Sequence, residues 1–208
     1  MIRILAILIG YLFGLIQSSF IIGKLEGIDI RNYGSGNAGA TNAIRILGKK
    51  KGTIVFILDV LKAILAFFVS ILILDSILDS YFPYSIIIGI YAGLGAVLGH
   101  CFPFYMKFKG GKGIACAIGI MISIDLLISL TLIMLCIAIV IFKKYISLGS
   151  IAFVSLSPIF LSIYSFSFEV ILVSTLIGLI CIYLHKSNII RLFKGTEMRI
   201  DEKIGIKE

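Results

Sequence analysis

Three short segments of this chain carry residue types that suit phosphate chemistry. The first runs over residues 32–45 and reads NYGSGNAGATNAIR. Gly34, Gly36 and Gly39 let backbone N–H groups turn toward a common point, and Ser35, Asn37, Thr41 and Asn42 add donors. Arg45 adds a planar fork that matches a phosphate. Asn37, Thr41 and Arg45 are four residues apart and can share one helical face. A helix starting near Gly39 would point its amino terminus at the same anion. No Gly-Lys-Ser/Thr follows, so this is not a Walker loop. A plain linker would need neither Arg45 nor this density of donors.

The second segment, FKGGKG over 108–113, places Lys109 and Lys112 around Gly110-Gly111 beside an expected helix start. A basic membrane anchor would need the lysines alone. The glycines favour backbone donors and two cations facing a phosphate. The third is HKSNIIR over 185–191, where His185, Asn188 and Arg191 fall near one helical face. Lys144, Tyr145, Ser147 and Ser150 form a smaller polar cluster. Asp59 and Lys62 can pair within one turn of an apolar helix, as a structural ion pair or as part of a site. His100 can satisfy itself by hydrogen bonding inside a helical bundle. Cys101, Cys116, Cys136 and Cys181 lie in or beside apolar runs without metal-ligand spacing, so they read as small buried hydrophobes. No metal or cofactor site is expected.

These segments must be positioned by membrane-spanning helices. Sixty per cent of the 208 residues are hydrophobic and 14% are charged. Soluble domains sit near about 45–50% and about 25%. The composition excludes a soluble enzyme, a disordered chain and a nucleic-acid-binding domain. The net charge of +8 then points to topology and an anionic inner leaflet. A spanning helix needs about 20 apolar residues. Six runs meet that requirement or come close: 4–22, 52–74, 84–104, 114–142, 147–166 and 168–184.

The fourth run is too long for one simple span and holds Ser123 and Asp125 near its middle. Seventeen of the nineteen Lys and Arg residues fall between runs one and two, between three and four, after four, and after the last. If run four crosses twice, as two short helices turning near Ser123–Asp125, every basic cluster shares one face of the membrane. Asp75, Asp79 and Glu169 then share the other face. The sequence therefore predicts an all-α integral membrane protein of seven transmembrane helices. Two of these are short, from the 114–142 run. The amino terminus is outside and the carboxyl terminus cytoplasmic. Arg3 is one charge on the wrong side. Residues 1–198 form a single polytopic domain, and 199–208 read as a mobile cytoplasmic tail. No internal or inverted repeat is evident.

Together the motifs resemble the acyl-phosphate-dependent glycerol-3-phosphate acyltransferase family of bacteria, the PlsY family. The matching pieces are RNYGSGNAGATNAIRILGKKKG (31–52), LDVLKA (58–63), GHCFPFYMKFKGGKGIA (99–115), KKYISLGSI (143–151) and HKSNIIRLFKGTE (185–197). They follow the family's order over nearly the whole chain. Ala63 stands where the family usually has Gly, and Ile114-Ala115-Cys116 replaces a more usual Val-Ala-Thr.

The resemblance implies transfer of a fatty acyl group from acyl phosphate to the 1-hydroxyl of glycerol 3-phosphate. The products would be lysophosphatidate and phosphate, in the first acylation of phospholipid synthesis. It implies a multi-pass protein of the bacterial cell membrane, a cytoplasmic active site, and coupling to the enzyme that makes acyl phosphate. Lipids surround the protein, and no nucleic acid and no cofactor are expected. Within that reading Ser35, Arg45, Lys112, His185 and Asn188 are the expected catalytic residues. Gly34, Gly36, Asn37, Gly39, Thr41, Asn42, Lys109, Gly110, Gly111, Ser147 and Arg191 are expected to bind substrate. Ser35 is a covalent nucleophile or a phosphate ligand. Neither His100 nor His185 has an Asp five residues on, which excludes the His-x4-Asp mechanism. A transporter or channel for a phosphorylated metabolite is the competing class. It would place polar groups near the midplane and broken helices in repeated halves.

Overall fold

The computed structural model describes residues 1–78 and 83–201, and the side chains of 1–74 and 85–201. The described residues form helices joined by turns and short 3-10 segments, with no strand among them. In chain order the helices are α1 (Ile2–Gly14), α2 (Ser18–Leu25), α3 (Ala40–Leu78), α4 (Pro83–Cys101), α5 (Ile114–Ile124), α6 (Leu126–Lys143), α7 (Ile146–Ile163), α8 (Phe168–Leu184) and α9 (Lys186–Phe193).

Five segments are long and apolar enough to cross a membrane: Ile2–Leu25, Ala40–Leu74, Ser85–Met106, Leu126–Lys143 and Ile146–Ile163. A sixth is α8 taken together with α9, bent by 60° at their junction. The apolar α5 is shorter, with 11 residues. At 1.5 Å per residue it is roughly 16 Å long, about half of a hydrocarbon core.

The 114–142 run is indeed two helices, and Asp125 divides them. Its backbone is extended (φ −156°, ψ 118°), and its carboxylate caps α6 by accepting from the Ile128 N–H at 2.8 Å. The two pieces are unequal, at 11 and 18 residues, rather than two similar short helices. A cap sets where a helix begins, and hydropathy summed over the run carries no such mark.

Two further breaks lie within the spans Ile2–Leu25 and Ala40–Leu74. The first interrupts the opening span at Leu15–Gln17. There Gln17, fully buried, donates its amide to Gly14 O at 3.1 Å and His100 O at 3.0 Å. The second is Gly48, whose φ of 85° and ψ of 165° lie outside helical space. It folds the first two turns of α3 back on the span, so closely that a Cβ at Gly52 would lie 2.5 Å from Ile44 Cα.

Small residues set the packing. A Cβ on Gly10 of α1 would meet Ala92 O of α4 at 1.8 Å, and one on Gly95 would meet Ile7 O at 2.1 Å. Such close backbone approach is how helices associate where lipid removes the hydrophobic drive. The main core gathers side chains of α3 to α8, including Val97, Cys116, Leu132, Phe153, Leu161 and Cys181. Leu8, Leu12, Leu65, Leu72, Leu127, Met134 and Leu179 are exposed around the outside. An apolar exterior of this extent is a lipid-facing surface. Of the 199–208 tail, Arg199–Asp201 are described, and the Ile200 N–H donates to Lys144 O at 2.8 Å. Asp75 and Asp79 lie outside the described side chains.

Candidate active site

The polar motifs line one cavity of about 590 Å³. Loop 1 (residues 26–39, between α2 and α3) and the start of α3 contribute Ser35, Asn37, Gly39, Thr41, Asn42 and Arg45. Lys112 enters from the second loop (residues 102–113, between α4 and α5), and Ser147 and Ser150 from the start of α7. His185, Asn188 and Arg191 come from the α8–α9 corner. The α6 residues Ile133, Ile137, Val140 and Ile141, with Phe56 and Phe153, line the rest as an apolar wall.

Asn42 organises loop 1. It is almost fully buried; its side-chain oxygen accepts from the Ser35 N–H at 2.9 Å, and its amide donates to Tyr33 O at 3.1 Å and Ile30 O at 3.2 Å. The Gly36 N–H donates to Tyr33 O at 3.1 Å. Two of the backbone donors expected to face an anion are therefore committed inside the loop. Gly34 and Gly36 are left-handed, at φ 60° and 71°, and a Cβ at Gly34 would meet Asn42 Oδ1 at 2.4 Å. They shape the loop and do not line the cavity, whereas Ser35 between them does. Arg31 ties loop 1 to the second loop, with its guanidinium on Asp29 at 2.7 Å and on Met106 O at 3.1 Å. The Arg31 hydrogen bonds hold Asp29 down at about 2.

The Gly-Gly pair also faces inward. The Gly110 N–H donates to Cys101 O at 3.1 Å and the Gly111 N–H to His100 O at 3.0 Å. Lys109 is exposed and does not line the cavity; Lys112 does. The Lys112 ammonium donates to Asn188 Oδ1. Burial, reinforced by Arg191 and Arg45, pulls Lys112 down to about 8 despite the nearby Glu197.

At the α8–α9 corner His185 Nδ1 lies 2.8 Å from Cys181 O. A carbonyl only accepts, so Nδ1 carries the proton and Nε2 of the neutral ring is an open acceptor. Asn188 Nδ2 donates to Glu197 Oε1 at 2.7 Å, and Arg191 Nε donates to Glu197 Oε2 at 2.7 Å. Burial alone would raise the Glu197 carboxyl, yet the Asn188 and Arg191 donors outweigh it and keep it below its ordinary value. Ser147 is buried beside this cluster.

Glu197, Met198 and Ile200 also line the cavity, which spacing does not reveal. Glu197 follows Arg191 by six residues across the end of α9, so no helical face relates them. Its sequence signal is its place at the end of the HKSNIIRLFKGTE motif, as an acid inside an otherwise basic segment. Asp59 and His100 reach the cavity too. Asp59 pairs with Lys62 at 2.8 Å, both almost fully buried.

The family model described as glycerol-3-phosphate acyltransferase matches residues 4–195. A glycerol-3-phosphate acyltransferase of Thermoanaerobacter sp. (strain X514) is 38% identical over 212 residues, covering all of both chains. One from Aquifex aeolicus (strain VF5) is 37% identical over 193 residues, 93% of this chain and 96% of the other. The fold is similar to the crystal structure of PlsY (YgiH), an integral membrane glycerol 3-phosphate acyltransferase, in its glycerol 3-phosphate form. That similarity has a TM-score of 0.85 and 36% identity over 95% of this chain and 94% of that one. The lysophosphatidic acid form of the same protein gives a TM-score of 0.81. On sequence and fold together, this chain belongs to the glycerol-3-phosphate acyltransferase family.

Proposed function

We propose that the chain transfers a fatty acyl group from acyl phosphate to the 1-hydroxyl of glycerol 3-phosphate, releasing lysophosphatidate and phosphate. One observation carries the reading. A single cavity joins a cationic, donor-rich end holding Arg45, Lys112 and Arg191 to an apolar wall on α6. The first suits two phosphates and the second an acyl chain.

An acyl phosphate is already an activated mixed anhydride, so the protein has to position, neutralise and stabilise. Arg45 and Lys112 hold the leaving phosphate, with Ser35 as a further ligand. Arg191, Asn188 and Ser147 hold the phosphate of the acceptor. The acceptor hydroxyl attacks the acyl carbon, the bond from that carbon to the phosphate oxygen breaks, and phosphate leaves with the electron pair. His185 Nε2 accepts the hydroxyl hydrogen bond and aligns the attacking oxygen; the proton ends on this nitrogen or on a phosphate oxygen. Lys109, Gly110 and Gly111 support the site from the second loop.

The same reading places seven spans in a bacterial cell membrane, counting α5 as a short one. The amino terminus lies outside, and the cavity and carboxyl terminus lie on the cytoplasmic side, where glycerol 3-phosphate is dissolved. Arg3 fits this arrangement because it pairs with Glu169, Nη2 to Oε2 at 2.9 Å, at the face away from the cavity. Supply of the donor requires coupling to an enzyme that makes acyl phosphate. The test is phosphate release from palmitoyl phosphate by the purified protein in detergent. Release that depends on glycerol 3-phosphate and yields lysophosphatidate supports the reading; no turnover with this pair overturns it.

A further inference from the structure

The buried cluster of Asp59, Lys62 and His100 has no part in the chemistry above, yet it touches the cavity. The Lys62 ammonium has three acceptors around it: Ile16 O at 2.6 Å, Asp59 Oδ1 at 2.8 Å and His100 Nδ1 at 2.9 Å. Asp59 Oδ1 also accepts from Ser18 Oγ at 3.0 Å. An ammonium cannot accept, so Nδ1 does, and the ring is pinned with its Nε2 edge turned away from Lys62.

That edge meets Gly111. A Cβ on Gly111 would lie 2.0 Å from His100 Nε2 and 2.7 Å from Cε1, so the glycine rests directly on the ring. The next residue is Lys112. The rest of the loop is held just as firmly. Lys107 and Phe108 are both left-handed, at φ 56° and 58°, a conformation that side-chain-bearing residues seldom take. Hydrogen bonds keep them there: Phe108 N to Pro103 O at 3.0 Å and Lys109 N to Met106 O at 3.2 Å. The main chain of His100 completes the support by accepting from the Gly111 N–H at 3.0 Å and the Gln17 amide at 3.0 Å.

We propose that His100, locked by Lys62 and Asp59, is a positioning residue for Lys112: its ring is the seat that fixes where the loop delivers the Lys112 ammonium into the cavity. The inference rests on the reading that Lys112 holds a substrate phosphate. It explains why an ionisable trio lies buried among spans, where such groups are costly. The trio joins the α1–α2 break, α3 and the inner end of α4 at the point where the phosphate-facing loop departs.

The test is a double-mutant cycle on kcat/KM for glycerol-3-phosphate-dependent phosphate release from palmitoyl phosphate. His100→Asn keeps an acceptor near the Nδ1 position and removes the part of the ring beneath Gly111. It should lower kcat/KM by about ten- to a hundred-fold, the scale of a displacement near 1 Å. Combined with Lys112→Ala, it should leave kcat/KM within about twofold of Lys112→Ala alone, because both act through one ammonium. Losses that multiply, or an unchanged His100→Asn protein, overturn the proposal. Gly111→Ala pushes against the ring while leaving the trio intact, so it runs the same cycle if His100→Asn does not fold. Wild-type kinetics in Lys112→Ala would overturn the phosphate-holding reading itself, and the proposal with it.

Discussion

Lys112 and Asn188 are 76 residues apart in sequence, and the ammonium of the first donates to the side-chain oxygen of the second. That contact fixes which way the amide faces. With Oδ1 on Lys112, Nδ2 must point to Glu197 Oε1, where it donates at 2.7 Å. Lys112, Asn188, Glu197 and Arg191 thus form one chain of charge-assisted bonds between the second loop, α9 and the turn after it.

Asn188→Asp tests the direction of that chain. An aspartate still accepts from Lys112 but cannot donate to Glu197, and it sets two carboxylates face to face. A lost hydrogen bond to a charged group is worth about 1.5–3 kcal/mol, so kcat/KM should fall ten- to a hundred-fold. Glu197→Gln in the same protein restores a donor and should recover part of the loss. Thermal unfolding in detergent separates this from collapse of the fold. No recovery in the double variant would remove the Asn188–Glu197 bond from the account.

The lowered Lys112 predicts an alkaline limb. The group is a cation below about 8 and neutral above it. Both substrates complete their phosphate ionisation near pH 6, so they do not titrate in the same range. As pH rises through about 8, the free enzyme loses the charge that attracts phosphate, and kcat/KM should fall. Lys112→Arg keeps its charge throughout and should lack this limb. A wild-type profile that stays flat to pH 9.5 would overturn the prediction that loss of a lowered Lys112 charge limits the reaction.

Ser35 as phosphate ligand predicts that no acyl-enzyme forms. Among the described residues no side chain hydrogen-bonds to Ser35 Oγ, and its N–H is held by Asn42. A nucleophilic serine would need a neighbouring base. Rapid quench with labelled palmitoyl phosphate and no acceptor should therefore show no burst of phosphate and no protein-bound acyl group. A stoichiometric acyl-protein that glycerol 3-phosphate chases to product would make Ser35 the nucleophile.

Membrane orientation is open to single-cysteine labelling after replacement of Cys101, Cys116, Cys136 and Cys181. Cysteines at Lys109, Lys143 and Lys194, all exposed, should react only from the cytoplasmic face, and one at Ser165 only from outside. Outside labelling at Lys143 would mean that α5 and α6 together cross the bilayer once.

Composition and the placement of charge were enough to read an all-helical membrane protein from the sequence. Apolar runs of spanning length and clustered lysines act through bulk transfer energies that need no partner. The division of the 114–142 run was legible for the same reason, since a turn near Ser123–Asp125 brings every basic cluster to one face of the membrane. The first two polar motifs were legible because glycine beside cations is a local signature, and the third because His185, Asn188 and Arg191 fall near one helical face. What those residues touch was not. Gly110 and Gly111 read as open phosphate donors, yet their N–H groups are bonded to the end of α4, because the acceptors come from residues 100 and 101. Glu197 ends a matching motif, yet nothing local assigned it to the site, since its partners reach it only through the turn after α9. Asp59 and Lys62 could be paired from their spacing, but His100 joins them only when α3 and α4 pack. Local chemistry and hydropathy are properties of short segments. Which donor meets which acceptor is settled by the close packing of helices distant in sequence, and only the tertiary structure contains that.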